Sequence, residues 1–155
     1  MRALSNEVEA SVGKARRKFG RAIDLGFQML PDVLVKNQAR LMLDPQDLVI
    51  IINLLMHWWD ADELPFPRLS LIADRMGVSP RTVERRIKDL EKRGLIRRLA
   101  AKRNSRDLVV REFDMSGLIK MLERLVDADP AVDARRTAQE KGRARSSPFA
   151  HSDHV

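Results

Sequence analysis

The 155-residue chain has no cysteine and only three histidines. Without cysteine there is no disulfide framework and no thiolate nucleophile, so a reducing cytoplasm suits it. Two of the histidines, His151 and His154, fall in the last five residues; the third, His57, has one nearby carboxylate, Asp60. A zinc site needs three or four ligands, so His57 to Asp60 reads as core packing with a surface histidine and not as a metal site. No glycine-rich loop stands ready to cradle a phosphate, and no carboxylate pair suggests a cleft. These absences argue against an enzyme and against a bound metal or cofactor. Long apolar runs are also missing: residues 48–52 and 54–56 are broken by Asn53 and are too short to span a bilayer. The N-terminus is mixed and charged, unlike a secretory signal. No internal repeat appears, and after one domain and its tails nothing remains to hold an effector.

What the chain has is positive charge, unevenly placed. The net charge is +7. Residues 1–30 carry six basic and three acidic groups, and residues 31–78 carry four and seven. Residues 79–113 carry twelve and five, a local excess of +7, and residues 114–155 balance at seven each. An excess confined to one short region is the footprint of a polyanionic partner; a diffuse one would mean much less.

The stretch before and within that region has a recognisable order. Leu69, Ile72, Ala73 and Met76 recur at helical spacing. Gly77 follows, where a helix end favours a left-handed backbone, and Val78 plugs the turn into the core. Ser79 has the chemistry of an N-cap, and Pro80 suits the first helical position. Val83, Ile87 and Leu90 then form a second apolar stripe, which leaves Arg81, Thr82, Arg85 and Arg86 on other faces. This is the helix-turn-helix pattern, whose second helix lies in the major groove of DNA. An ordinary helical hairpin with a basic surface is the competing reading. Packing alone does not require four basic or hydroxyl groups at one helix start.

The rest of the chain frames this motif. Residues 1–22 read as a basic, flexible arm, with residues 14–18 (KARRK) either ending a short helix or touching phosphates. Residues 26–31 (GFQMLP) read as an edge strand stopped by proline, and residues 32–43 as a helix with Val33, Leu34, Leu41 and Leu43 inward. Asp44, Pro45 and Asp47 mark a strong helix start, and residues 45–59 read as the central core helix. Phe66 is expected to anchor the loop at 61–67. After Gly94 the pattern turns extended: residues 95–100 and 107–113 predict a β-hairpin, or wing, whose tip carries Lys102, Arg103 and Arg106. Asp114 or Ser116 caps a last helix, which packs on the domain or carries a dimer seam. Residues 127–155 have hardly any large apolar side chain and read as a disordered tail, leaving residues 23–126 as the domain.

The succession of strand, helix, long core helix, helix-turn-helix and two-stranded wing resembles the winged helix-turn-helix domains of bacteria and their mobile elements. It is similar in particular to a group from plasmids, phages and integrated elements, some described as replication initiators or replisome organisers. The residues that carry this are 26–31 (GFQMLP), 65–67 (PFP), 71–79 (LIADRMGVS), 81–83 (RTV) and 90–96 (LEKRGLI). The resemblance spans about residues 25–120 and departs at Arg86, where many such motifs place a small or apolar residue. It implies an α+β, mostly α fold with a C-terminal two-stranded wing. It also implies a sequence-specific double-stranded DNA-binding protein acting in transcription regulation or replication initiation, cytoplasmic and at the nucleoid. Arg81, Thr82 and Arg85 would approach base edges. Ser79, Arg86, Lys88, Lys92, Arg93 and the wing would hold phosphates. A homodimer and replication or transcription proteins are the further partners such a domain suggests. The alternative is an interaction adaptor in a replication or partition complex that uses the winged domain for docking.

Overall fold

The computed structural model describes residues 2–145, which separate between Leu30 and Pro31 into two compact units. The first holds α1 (Arg2–Phe19) and a 3-10 turn (Gly20–Ile23). The arm expected over residues 1–22 is therefore helical from Arg2 on. The physical reason is local: there is no proline, good helix formers dominate, and Arg16, Arg17 and Lys18 sit in the last turn, where the helix dipole favours cations. Arg16 and Asp24 pair at 2.8 Å beyond the turn. The edge strand expected at 26–31 does not form. Gly26 takes φ +104°, outside the extended region, and no strand among the described residues pairs with the segment.

The second unit begins with α2 (Asp32–Lys36), shorter than the predicted helix over 32–43. Asn37 turns its side-chain amide back onto the Val33 carbonyl at 2.9 Å, and Met42 enters the left-handed region at φ 52°. Leu34, Leu41 and Leu43 are nevertheless buried, although residues 37–43 are not helical. In α3 (Pro45–Met56) the Asp44 carboxylate accepts the Asp47 N–H at 2.9 Å, and Asp47 returns the favour to the Asp44 N–H at 3.3 Å. This reciprocal cap satisfies two donors that a helix start otherwise leaves open. Ile50, Ile51 and Leu54 bury fully and make α3 the centre of the core. The helix ends three residues before the predicted boundary: Trp58 packs on the core and Trp59 lies on the surface. In the following loop the buried anchor is Pro65, whose carbonyl accepts the Phe113 N–H at 2.8 Å, while Phe66 is half exposed.

Helices α4 (Leu69–Met76) and α5 (Pro80–Lys92) meet through Gly77 at φ 65°, with Ile72, Ala73, Val83, Ile87 and Leu90 buried between them and α3. Each of the four larger side chains, Ile72, Val83, Ile87 and Leu90, contributes about 1.5–3 kcal/mol by leaving water. The wing follows as two short antiparallel ladders, β1 (Arg97–Arg98) with β4 (Phe113–Asp114) and β2 (Lys102–Arg103) with β3 (Val109–Val110). Arg98 faces Phe113 and Lys102 faces Val110, so three residues on the outgoing side oppose two on the return. This one-residue mismatch bends the hairpin as a bulge does. Helix α6 (Ser116–Asp127) then packs Leu118 and Leu122 into the core. Its first turn meets the end of α5 closely: the Leu118 N–H reaches the Leu95 carbonyl at 2.7 Å.

Helix α7 (Pro130–Arg145) occupies much of the predicted tail. Low hydrophobicity says that a segment cannot build a core; it says less about helix propensity, which Ala, Arg, Gln, Glu and Lys supply here. The Asp129 carboxylate accepts the Ala131 N–H at 2.8 Å, and Pro130 takes the first position. Residues 146–155 lie outside the described residues. No described helix is long and apolar enough to cross a membrane.

Candidate nucleic-acid interface

Helix α5 presents faces of different chemistry. Val83, Ile87 and Leu90 face the core. Arg81, Arg85, Lys88 and Lys92, spaced i, i+4, i+7 and i+11, form one row of exposed cations. Lys88 lies 3.6 Å from Glu84 and Lys92 lies 4.0 Å from Asp89. Such exposed pairs are weak and exchange readily with another anion. Arg81 and Arg85 make no ion pair with a described residue. At the helix start, Ser79 Oγ accepts the Thr82 N–H at 3.1 Å and shares a hydrogen bond with Thr82 Oγ1 at 2.9 Å. Both hydroxyls are thus engaged in the cap.

Arg86 and Arg93, expected among the phosphate contacts, point elsewhere. Seven residues apart on one flank of α5, they reach the N-terminus of α3. Arg86 pairs with Asp44 and lies 3.4 Å from Asp47. Arg93 pairs with Asp47 at 3.1 Å and donates to the carbonyls of Leu41 at 3.1 Å and Met42 at 2.6 Å. Asp47 is buried, so the two guanidinium groups neutralise a charge that could not stand alone. Burial works against ionisation of Asp44, but the Asp47 N–H and the Arg86 guanidinium outweigh it and hold its carboxyl below the usual range. Burial likewise opposes the charge on Arg86, and Asp44 and Asp47 overcome it and raise its pKa. Arg86, the departure from the usual motif, joins Arg93 and the apolar face of α5 in tying that helix to the start of α3.

In the wing, Asn104 builds the tip by accepting the N–H groups of Arg106 and Leu108, both at 3.0 Å. Asp107 adopts φ 58° there. Arg103 folds back on Asp107 at 3.1 Å, and Lys102 pairs with Glu112 at 2.7 Å. Arg106 is exposed and makes no ion pair with a described residue.

Two cations of this region escaped the sequence reading. Arg98, in β1, and Arg111, between β3 and β4, line the depression between wing and α5 with Lys88, Glu84 and Glu91. The Arg98 guanidinium sits 5.9 Å from the centre of the Phe113 ring, and its backbone N–H donates to Glu91 at 2.7 Å. Burial first and Arg111 second pull its pKa below the ordinary value, with Glu84 and Glu91 opposing. Their place on the hairpin is the signal for them in the sequence. Away from this surface, Arg75 bridges Asn53 and His57 Nε2, each at 3.1 Å. Burial and then the Arg75 charge lower the pKa of His57.

Residues 41–96 match a family model described as a helix-turn-helix domain. This segment is a helix-turn-helix domain. No curated protein matches the chain. Among solved structures, the N-terminal domain of DnaD protein from Geobacillus kaustophilus HTA426 is 18% identical with a TM-score of 0.53, covering 77% of this chain and 96% of that one. That likeness is one of fold. YusO protein from Bacillus subtilis is 20% identical with a TM-score of 0.40, over 92% of this chain and 98% of its own. Reduced AbfR bound to DNA is 13% identical with a TM-score of 0.38, over 92% and 94%. With β1 to β4 directly after its second helix, the helix-turn-helix domain is completed as a winged helix.

Proposed function

We propose that this chain binds double-stranded DNA in a sequence-specific manner, through α5 and the wing, in transcription regulation or replication initiation of a bacterium or mobile element. The observation that carries this is the row of exposed cations on the second helix of the helix-turn-helix domain. Arg81 and Arg85 stand nearest the helix start, the end that meets base edges in such domains. Each arginine that pairs with guanine through two hydrogen bonds adds about 1–3 kcal/mol of discrimination. Lys88, Lys92, Lys102, Arg103 and Arg106 contact phosphates, which sets affinity and salt dependence and carries no sequence information. Arg86 and Arg93 position α5 from behind and do not touch DNA. One recognition helix reads only a few base pairs, so the protein acts as a homodimer on a repeated site.

The division of labour has a direct test. Arg85→Ala is expected to reduce the ratio of specific to random duplex binding by about tenfold or more. Lys102→Ala is expected to weaken both alike and to lower the slope of log affinity against log salt. Equal losses on both duplexes for both variants would refute the assignment.

A further inference from the structure

A second recessed surface, of about 610 Å³, lies between the loop after α3 and the wing. Trp59 and Phe66 supply apolar wall from the loop, and Leu108 and Val109 supply it from the wing. These are poorly covered: Trp59 is 81% and Val109 63% exposed. Large apolar side chains converging on one groove, each left in water, mark a surface that another molecule covers. Arg68, Arg98 and Arg111 line the same groove, against one carboxylate, Glu63. Neither Arg68 nor Arg111 makes an ion pair with a described residue.

We propose that this groove docks an acidic amphipathic segment of a partner protein, its apolar side chains on Trp59, Phe66, Leu108 and Val109 and its carboxylates on Arg68, Arg98 and Arg111. The excess of arginine over carboxylate selects an anionic occupant. The aliphatic wall selects between anionic occupants. A single strand of nucleic acid stacks its bases on aromatic rings but gains little from Leu108 and Val109. An amphipathic peptide desolvates all four residues, and its carboxylates pair with guanidinium forks through two hydrogen bonds. The apolar pair on the wing, where exposed strands usually carry charge, is the feature a duplex contact leaves unexplained.

The test is selection of a random twelve-residue peptide display library on the immobilised full chain. Selected peptides are then titrated as synthetic labelled peptides, with a fifteen-residue oligothymidine in parallel. The expected consensus joins bulky apolar residues to at least two carboxylates. Binding should shift Trp59 emission to the blue, a signal absent from Trp59→Ala, which keeps Trp58 as an internal reference. Trp59→Ala and Phe66→Ala are each expected to weaken peptide binding by about tenfold or more. Arg111→Glu should reduce it further. Duplex affinity should change less than about twofold in Trp59→Ala and Phe66→Ala, so the docking and DNA readings fail separately. No enriched sequence, peptides without acidic residues, or binding indifferent to Trp59 and Phe66 would overturn the proposal. Tighter binding of oligothymidine with the same residue dependence would also overturn it and assign the groove to single-stranded nucleic acid.

Discussion

Asp47→Ala removes one carboxylate from the junction of α3 and α5, and its cost can be worked from the contacts. The side chain accepts from Arg93 at 3.1 Å, Arg86 at 3.4 Å and the Asp44 N–H at 3.3 Å. Breaking a fully buried ion pair by removing one partner costs about 3–5 kcal/mol. Here the loss is smaller, because the Arg86 and Arg93 side chains keep 25% and 23% exposure. Each also retains an acceptor, Asp44 for Arg86 and the Leu41 and Met42 carbonyls for Arg93. The expected loss is about 2–3 kcal/mol. For a domain near 100 residues that lowers Tm by about 10–20 °C. Thermal denaturation followed by circular dichroism at pH 7 gives the loss directly. A cycle with Arg93→Ala should show a coupling of about 1–2 kcal/mol. A loss under about 0.5 kcal/mol, the scale of an ordinary surface change, would refute the reasoning, as would strict additivity with Arg93→Ala.

Gly117→Ala should destabilise the domain more than its helix propensity suggests. A Cβ there would overlap the Gly94 carbonyl oxygen and sit 3.1 Å from the Gly94 carbon, so α6 must shift off Leu95. The expected loss is about 1–3 kcal/mol by urea unfolding, and a neutral result would contradict the packing described. Stability should also fall on acidification in two windows. His57 has a lowered pKa in the fold, so the stability it confers is complete above the ordinary value of 6.5 and is lost as pH falls through the folded value. Asp44 is depressed as described. For Asp114 the hydroxyl and N–H of Ser116 lower the carboxyl most, burial opposes, and Arg97 adds to the lowering. Their contribution is complete above 3.8 and disappears as pH falls through the folded values. Urea unfolding from pH 8 to 2 measures both windows, and His57→Gln should remove the upper one alone.

Local backbone requirements were legible in the sequence. Gly77 at a left-handed helix end, Ser79 and Pro80 at a helix start, and the Asp44 and Asp47 cap each depend on residues within a turn of one another. Long-range pairing was not legible in the same way. In the sequence Asp47 is a favourable charge at a helix start, but its partners Arg86 and Arg93 lie 39 and 46 residues on. Charge counting therefore credited both arginines to the DNA face. Their seven-residue spacing, set against the 81, 85, 88 and 92 row, was the clue that they share another flank. The predicted strand at 26–31 rests on composition and does not form: Gly26 leaves the extended region, and no described strand pairs with the segment. Within the predicted tail Pro130–Arg145 is helical, because α7 needs no buried face to satisfy its own backbone.

The most direct test of the central claim is selection of bound sites from a random duplex pool at about 150 mM salt, with the best site then titrated against scrambled DNA. The account predicts a recovered motif with inverted halves about one helical turn apart, and a preference that collapses in Arg85→Ala. No enrichment, with equal salt-sensitive binding to every duplex, would contradict it.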